Sequence, residues 1–212
     1  MSDALKTYLL VPLEDTVVFP HMTVTLPVDV GGEERVLLVP RHENDYAAVG
    51  TVAEVLESVR LPGGGHAVVL NGLHRGVLGA AQSDPLGQLR VDVDERPDEH
   101  PRTGRVQELE REYRAVVEEI LELRNADERI SAFLRAIAEP GALADSAGYS
   151  PDISFEHKVE LLEALDVAER LELAVRLQRE RLAELQVRRR IRDDVESGAQ
   201  KDRKSTRLNS SH

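Results

Sequence analysis

The chain contains no cysteine and no tryptophan, and aromatic residues make up only 3% of its 212 residues. The absence of cysteine excludes disulfides, thiolate nucleophiles and cysteine-ligated zinc sites, and it fits a reducing compartment. Because aromatic rings are so few, a core must be built from Leu, Val, Ile and Ala, which an apolar fraction of 41% supplies. The length allows one or two domains.

Lysine is also scarce, and the 39 acidic residues outnumber the 27 Lys and Arg residues. The net charge is −12, and the only lysines are Lys6, Lys158, Lys201 and Lys204. Nucleic-acid binding depends on neutralising phosphates with Lys and Arg, so a nucleic-acid partner is not expected. No apolar run approaches the ~20 residues of a membrane-spanning helix, and the N-terminal "MSDALKTYLLVPLED" lacks the basic and apolar regions of a signal peptide. These observations predict a cytoplasmic protein without a membrane partner.

The motifs of common catalytic sites are missing as well. No glycine is followed by lysine, so the phosphate loop G-x-x-x-x-G-K-[ST] is absent, as are H-E-x-x-H and G-x-S-x-G. The Gly-rich "LPGGG" stands between two predicted strands and is interpreted as a hairpin loop. His66 and His74 could share one face of a strand, but a metal there would need another ligand. We expect no catalytic, cofactor-binding or metal-binding residue in this chain.

The hydrophobic period changes near the middle of the chain. Residues 5–97 read as many short strands, such as the alternating "TVTLPV", separated by Gly and Pro in "DVGG", "LPGGG" and "SDPLG". This pattern is typical of a barrel or a sandwich. The polar, Pro-rich "DERPDEHPRTG" then marks a boundary. The sequence therefore predicts an α+β protein with a β-rich subdomain over residues 5–97 and a helical subdomain over residues 104–198.

Apolar residues three or four apart predict four helices in the second half. The first two stripes consist of Val106, Leu109, Tyr113, Val116, Ile120 and Leu123, and of Ile130, Phe133, Leu134 and Ile137. A third helix is predicted near Phe155 to Ala164. A long fourth helix is predicted from about Val167 to Ser197, capped by Asp166 and ordered at its start but frayed at its charged end.

Residues 202–212 fit neither half. Their composition shifts to Arg, Lys, Ser and Asn without an apolar stripe. The stretch "KSTRLNSSH" resembles the translation of a sequencing adapter that ends some metagenome-derived reading frames. We therefore predict a non-native tail here, and a native sequence that continued beyond Lys201.

The stretch "LEDTVVFPHMTVTLPV" holds the candidate binding residues. His21 has no partner nearby and is interpreted as a turn residue at the rim of the sheet. Pro20 keeps the preceding residue extended and supplies no N–H. Such a corner can expose Phe19 and Met22 beside a sheet edge, which would suit the binding of extended polypeptide. The alternative is that Phe19 and Met22 plug the end of the barrel.

Several stretches, taken in order, resemble the N-terminal domain of the Lon protease family. "LLVPLEDTVVFPHMTVTLPV" (Leu9–Val28) resembles that domain's opening pattern and the strand after it. "VGTVAEVLESVRLPGGGHAVVLNGLHRGVL" (Val49–Leu78) is similar to its G-T-x-A pattern, hairpin and G-x-x-R. Those motif residues are here Gly50, Thr51, Ala53, Gly72 and Arg75. The stretch from Phe155 to Lys201 resembles the family's helical bundle and the long helix that leads to an ATPase module.

The resemblance implies a PUA-like β barrel, then an all-α helical bundle ending in a long helix. It also implies a function: substrate recognition and assembly within a cytosolic, hexameric, ATP-dependent serine endopeptidase that degrades damaged and regulatory proteins. Unfolded or damaged proteins and other Lon subunits would be the partners. ATP and Mg would belong to an ATPase module that this sequence does not contain, and no catalytic residue can be carried over.

Two points leave alternatives open. The family usually has a helix after the second strand, whereas Asp29–Arg35 is too short for one, which puts the local barrel topology in doubt. A standalone Lon-like protein, acting as a polypeptide-binding adaptor, is the second functional interpretation. A long connecting helix favours the protease module, because a standalone protein has less need of it.

Overall fold

A computed structural model describes residues 5–100 and 102–209, which form a mixed α+β fold. Seven strands occupy the first half of this described part. They are β1 (Lys6–Glu14), β2 (Thr23–Leu26), β3 (Arg35–His42), β4 (Asp45–Tyr46), β5 (Val49–Arg60), β6 (His66–Ser83) and β7 (Leu89–Arg96). The predicted α+β class is confirmed, with the sheet first and a long helix last.

The sheet closes on itself. Strand β1 pairs in parallel with β3, where Leu9 lies opposite Val36, and in antiparallel fashion with β7. The order then runs from β7 through β6 and β5 back to β3, and all of these pairs are antiparallel. Alternate β1 residues enter two separate apolar clusters, so both faces of this strand are packed. The five strands thus form a small barrel, with β2 added along β6.

The connection between β2 and β3 has no helix. Residues 27–34 form a short loop in which the backbone N–H of Gly31 donates to the Asp29 carboxylate, and Gly31 has a positive φ of 61°. The predicted short crossover at Asp29–Arg35 is confirmed. The barrel closes without a helix here because β3 returns directly to the side of β1.

The second half is helical. Its elements are α1 (Gly104–Arg124), α2 (Glu128–Ala136), α3 (Pro140–Asp145), a 3₁₀ turn (Ser146–Tyr149), α4 (Phe155–Glu163) and α5 (Val167–Asn209). Each of the predicted helices is present. The buried stripe of α1 contains Val117 rather than the expected Val116, which is half-buried.

Helix α5 is longer than predicted. It was expected to end near Ser197, but it continues through Gly198 to Asn209. One glycine costs a helix only ~1 kcal/mol relative to alanine, and most residues that follow it are acceptable helix formers. The predicted tail at residues 202–212 is therefore helical as far as it is described, and residues 210–212 lie outside the described part.

Four charged side chains, three of them buried and Asp98 partly buried, join the barrel to the helices. From β6, Arg75 donates to both carboxylate oxygens of Asp145, at 2.7 and 3.1 Å, and to the backbone carbonyls of Leu161 and Leu162. From α5, Arg170 donates to both oxygens of Asp98 at 2.8 Å. Such bidentate pairs have a fixed geometry. They hold β6, the segment after β7, α3 and α5 in one arrangement.

Candidate functional site

The opening stretch that sequence patterns singled out lies between the barrel and the helices. His21 is exposed, with a positive φ of 68°, and its backbone N–H donates to the Gly72 carbonyl at 2.8 Å. The Met22 N–H donates to the Phe19 carbonyl, which closes a tight turn. The structure therefore places His21 as a turn residue, as the sequence predicted.

Phe19 lies in the core and not at the rim of the barrel. Its side chain is 0% exposed, packs in the cluster that contains the helical core, and meets the Tyr149 ring edge-on with centroids 6.3 Å apart. A Cβ on Gly148 would lie 2.3 Å from the Phe19 ring. Pro20 is also buried, and Met22 is half-buried. Polypeptide binding through Phe19, Pro20 and Met22 stays a prediction, and the burial of the first two weighs against it.

The motif residues surround the same turn. Thr51 is buried and its hydroxyl donates to the Val18 carbonyl at 2.6 Å. Added Cβ atoms on Gly50 and Gly72 would lie 2.7 Å from the carbonyl oxygens of Leu38 and Phe19, respectively. These positions therefore serve close packing, and together with Arg75 they fix the joint between the two halves.

An open apolar groove lies on the helical half. It has a volume of about 310 Å³, near the lower end of the range typical of ligand pockets. Helix α1 forms one wall and α2 the other, and α5 and the 3₁₀ turn complete it. Its apolar lining consists of Tyr113, Val117, Ile120, Leu121, Ile130, Phe133, Leu134, Tyr149 and Pro151.

Helix α2 is only partly packed against its neighbours. Arg114 of α1 donates to the carbonyls of Leu134 and Ile137, which anchors the C-terminal end of α2. The rest of this nine-residue helix packs loosely, and Ser131 is its only buried residue. Ile130 and Phe133 therefore remain 47% and 55% exposed at the lip of the groove. Concave apolar surface of this kind marks binding sites more often than scattered apolar residues do.

The floor of the groove is polar but satisfied. The Tyr113 hydroxyl lies 2.8 Å from the Ser146 hydroxyl, which itself donates to the Leu143 carbonyl. Burial raises the pKa of the Tyr113 phenol above its ordinary value, so this group is neutral at physiological pH. An apolar occupant above the floor would thus leave these hydroxyls hydrogen-bonded to each other.

Two arginines close one end of the groove. Arg124 and Arg181 both donate to the same carboxylate oxygen of Asp152, and the Arg124 contact is 2.6 Å long. Hydrogen bonding from Arg181 holds the pKa of the Asp152 carboxyl below its ordinary value. The two guanidinium groups and one carboxylate leave an excess of positive charge at this end.

The other candidate sites in the described residues do not bring together the side chains that a binding or catalytic site needs. No group of His, Asp and Glu there could hold a metal ion. Residues 61–65 join β5 to β6 as a hairpin loop, so they do not present a helix N-terminus to a phosphate. Exposed Leu56 and Leu86 lie on the barrel half and line none of the pockets described. No helix in the described ranges is long and apolar enough to cross a membrane.

Sequence reasoning placed Ile130, Phe133, Leu134 and Ile137 on a core-facing stripe, and it missed the groove. Helix α2 leaves Ile130 and Phe133 exposed and buries Leu134 only in part. Three large apolar residues among nine, with Asp127 as the N-cap and Ile137 as the C-cap, were the signal in the sequence. The loop lengths around α2 do not reveal how far it stands from α1.

The chain matches a family model described as the ATP-dependent protease La (LON) substrate-binding domain over residues 7–179. It is 37% identical over 218 aligned residues to the Lon protease of Chloroflexus aurantiacus, an alignment that covers 93% of this chain and 26% of that protein. It is also 37% identical to the Lon protease of Salinispora arenicola, of which 27% is covered. The chain thus spans about a quarter of the length of these relatives.

Two solved structures are similar to the fold. One is the N-terminal domain of Mycobacterium avium complex Lon protease, with a TM-score of 0.71 and 32% identity, over 82% of this chain and 98% of that one. The other is a Lon N-terminal domain protein from Xanthomonas campestris, with a TM-score of 0.58 and 19% identity, over 79% of this chain and 95% of that one. The second likeness concerns the fold alone.

Proposed function

Because the chain belongs to the family of Lon substrate-binding domains, we propose that it recognises polypeptide substrates for an ATP-dependent Lon-type serine protease. In this role it binds unfolded or damaged segments before they are cleaved elsewhere in the enzyme. ATP, Mg and the peptidase residues belong to other modules of that enzyme. We further propose the cytoplasm as its location and a homohexamer as its assembly.

The apolar groove between α1 and α2 is the observation that carries this proposal. Unfolded proteins differ from folded ones by their exposed apolar side chains, and a groove with Ile130 and Phe133 at its lip can cover such a side chain. Binding should be weak, since ordering an extended chain offsets much of the contact energy. Several copies in one assembly would raise the overall affinity through avidity.

Substitution of the groove lip tests the proposal. We expect Phe133→Ser to weaken binding of fluorescein-labelled β-casein, an unfolded polypeptide, by roughly 5–10-fold, because an aromatic ring that a bound segment covers contributes about 1 kcal/mol. Fluorescence anisotropy measures the affinity. The stability of the variant should change little, since Phe133 is 55% exposed.

Two variants serve as controls. Leu86→Ser and Leu56→Ser also remove an exposed leucine, 84% and 56% exposed, but on the barrel half. Both should bind β-casein as the unsubstituted chain does. Equal losses in all three variants would show non-specific apolar binding, and an unchanged affinity in Phe133→Ser would exclude the groove.

A further inference from the structure

The charged residues that line the groove are both arginines. Arg124 comes from the last turn of α1 and Arg181 from α5, and the rest of the lining is apolar or neutral. This is unusual for a chain whose net charge is −12. The side chain of Arg181 is only 8% exposed, so its charge is poorly screened by solvent.

Asp152 does not balance the two arginines. Its single Oδ2 accepts a hydrogen bond from Arg124 and another from Arg181. A guanidinium carries five N–H donors. In the contacts between described residues, Arg124 and Arg181 each direct one of these donors towards Oδ2 of Asp152. Donors and one net positive charge therefore remain at the end of an apolar groove. A carboxylate brought there would meet charge-assisted hydrogen bonds in a partly desolvated place.

Resting on the proposed substrate-recognition function, we propose that the groove selects polypeptide segments in which an acidic side chain lies close along the chain to a large apolar residue. The apolar side chain lies between α1 and α2, against Ile130 and Phe133. The Asp or Glu carboxylate then contacts Arg124 and Arg181 beside Asp152. Charge complementarity thus adds selectivity to a groove that otherwise accepts any apolar segment.

A matched set of peptides tests this selectivity. Each is a Gly/Ser peptide with one Phe-Leu pair, an acetylated N-terminus and an amidated C-terminus. One glutamate stands at increasing distances either before or after the pair. A second set carries glutamine at the same positions. At the best position we expect the Glu peptide to bind about three- to tenfold more tightly than its Gln partner, as for a partly buried ion pair. The measurement is fluorescence anisotropy at low salt.

Arg124→Gln should abolish the preference for Glu over Gln while the Gln peptide binds as before. Arg129→Gln is the matched control, because Arg129 is 93% exposed, lies on the neighbouring α2 and does not line the groove. It should keep the full preference. Circular dichroism melting should confirm that both variants fold, since both side chains make exposed ion pairs only.

Other outcomes would overturn the proposal in distinguishable ways. Equal binding of Glu and Gln peptides to the unsubstituted chain would remove the carboxylate preference and leave the groove as a purely apolar site. A Gln peptide with a free C-terminal carboxylate that binds more tightly than every internal Glu peptide would show recognition of chain ends instead. An equal loss in Arg129→Gln would indicate general electrostatic attraction. Failure of all peptides to bind to a chain that still binds β-casein would overturn the groove as the recognition site, whereas loss of β-casein binding as well would refute the proposed function itself.

Discussion

Phe19 lies buried where the barrel half packs against the helical half. Its ring lies in the core cluster that joins Val17 and Val49 of the first half to the helical residues. We expect Phe19→Ala to lower the free energy of unfolding by about 3–5 kcal/mol, because a buried aromatic ring leaves a cavity that rigid neighbours fill poorly. Urea denaturation measures the change.

Leu86→Ala is the control for this substitution, and it should change stability by no more than ~0.5 kcal/mol because Leu86 is 84% exposed. A stability of Phe19→Ala close to that of the unsubstituted chain would contradict the buried position. It would also restore Phe19 as a candidate for polypeptide binding.

The motif residues could be predicted from the sequence, but their partners could not. Gly50, Thr51, Gly72 and Arg75 stand out as a pattern along one stretch. The carboxylate that Arg75 binds belongs to Asp145, 70 residues further along the chain, and nothing in local spacing indicates that pairing. Phe19 shows the same limit, because an apolar residue before Pro20 fits an exposed corner and a buried turn equally well.

At the scale of elements, Asp98 ties the segment after β7 to α5. Burial pushes the pKa of this carboxyl upwards, but hydrogen bonds and charge from Arg170 outweigh it, so the pKa lies below its ordinary value. The folded state thus gains stability from ionised Asp98 at neutral pH. That gain is lost as the pH falls from about 4, near the pKa of the unfolded chain, through the folded pKa.

We expect Asp98→Asn to be less stable by roughly 2–4 kcal/mol at neutral pH, somewhat below the cost of breaking a wholly buried pair. The loss of stability is moderate because Arg170 still has the carboxylate of Asp145 as a partner, 3.6 Å away. The difference from the unsubstituted chain should shrink as the pH falls below about 4. Urea denaturation across this range measures it, and a pH-independent difference would show that the charge of Asp98 is not the cause.

Helix α5 has a first part that packs against the rest of the protein and a second part that is exposed. Leu171, Ala174, Val175 and Leu177 are buried, whereas the described side chains from Gln186 to Leu208 are exposed. Most helical stability in proteins comes from packing, so we expect amide hydrogen exchange to be slow over residues 171–182 and nearly unprotected after Asp193. Deletion of residues 198–212 should leave the melting temperature within about a degree.

Strong protection through Val195 in the isolated chain would contradict this account of α5. It would indicate a self-supporting helix and favour a standalone adaptor over a protease module. The sequence predicted where α5 begins, because Asp166 caps it through the Glu169 N–H at 2.9 Å. It predicted an end near Ser197 from the "SG" at residues 197–198, but α5 continues through Gly198 to Asn209.

At the scale of the whole molecule, periodicity predicted the order of strands and helices, and the resemblance predicted the barrel. Neither predicted the groove, which depends on the distance between α2 and α1. Arg114 anchors the C-terminal end of α2, while Ile130 and Phe133 of that helix stay exposed. The candidate site is therefore a tertiary feature whose residues look like core in the sequence.

Isoleucine methyl NMR tests the central claim, that polypeptide binds in the groove, most directly. The chain has five isoleucines, of which Ile120 and Ile130 line the groove and Ile191 lies far along exposed α5. Titration with the Glu peptide that binds most tightly should shift the Ile120 and Ile130 signals most and leave the Ile191 signal unchanged. Saturable binding without a shift at Ile120 and Ile130 would contradict the account and place the polypeptide site elsewhere on the molecule.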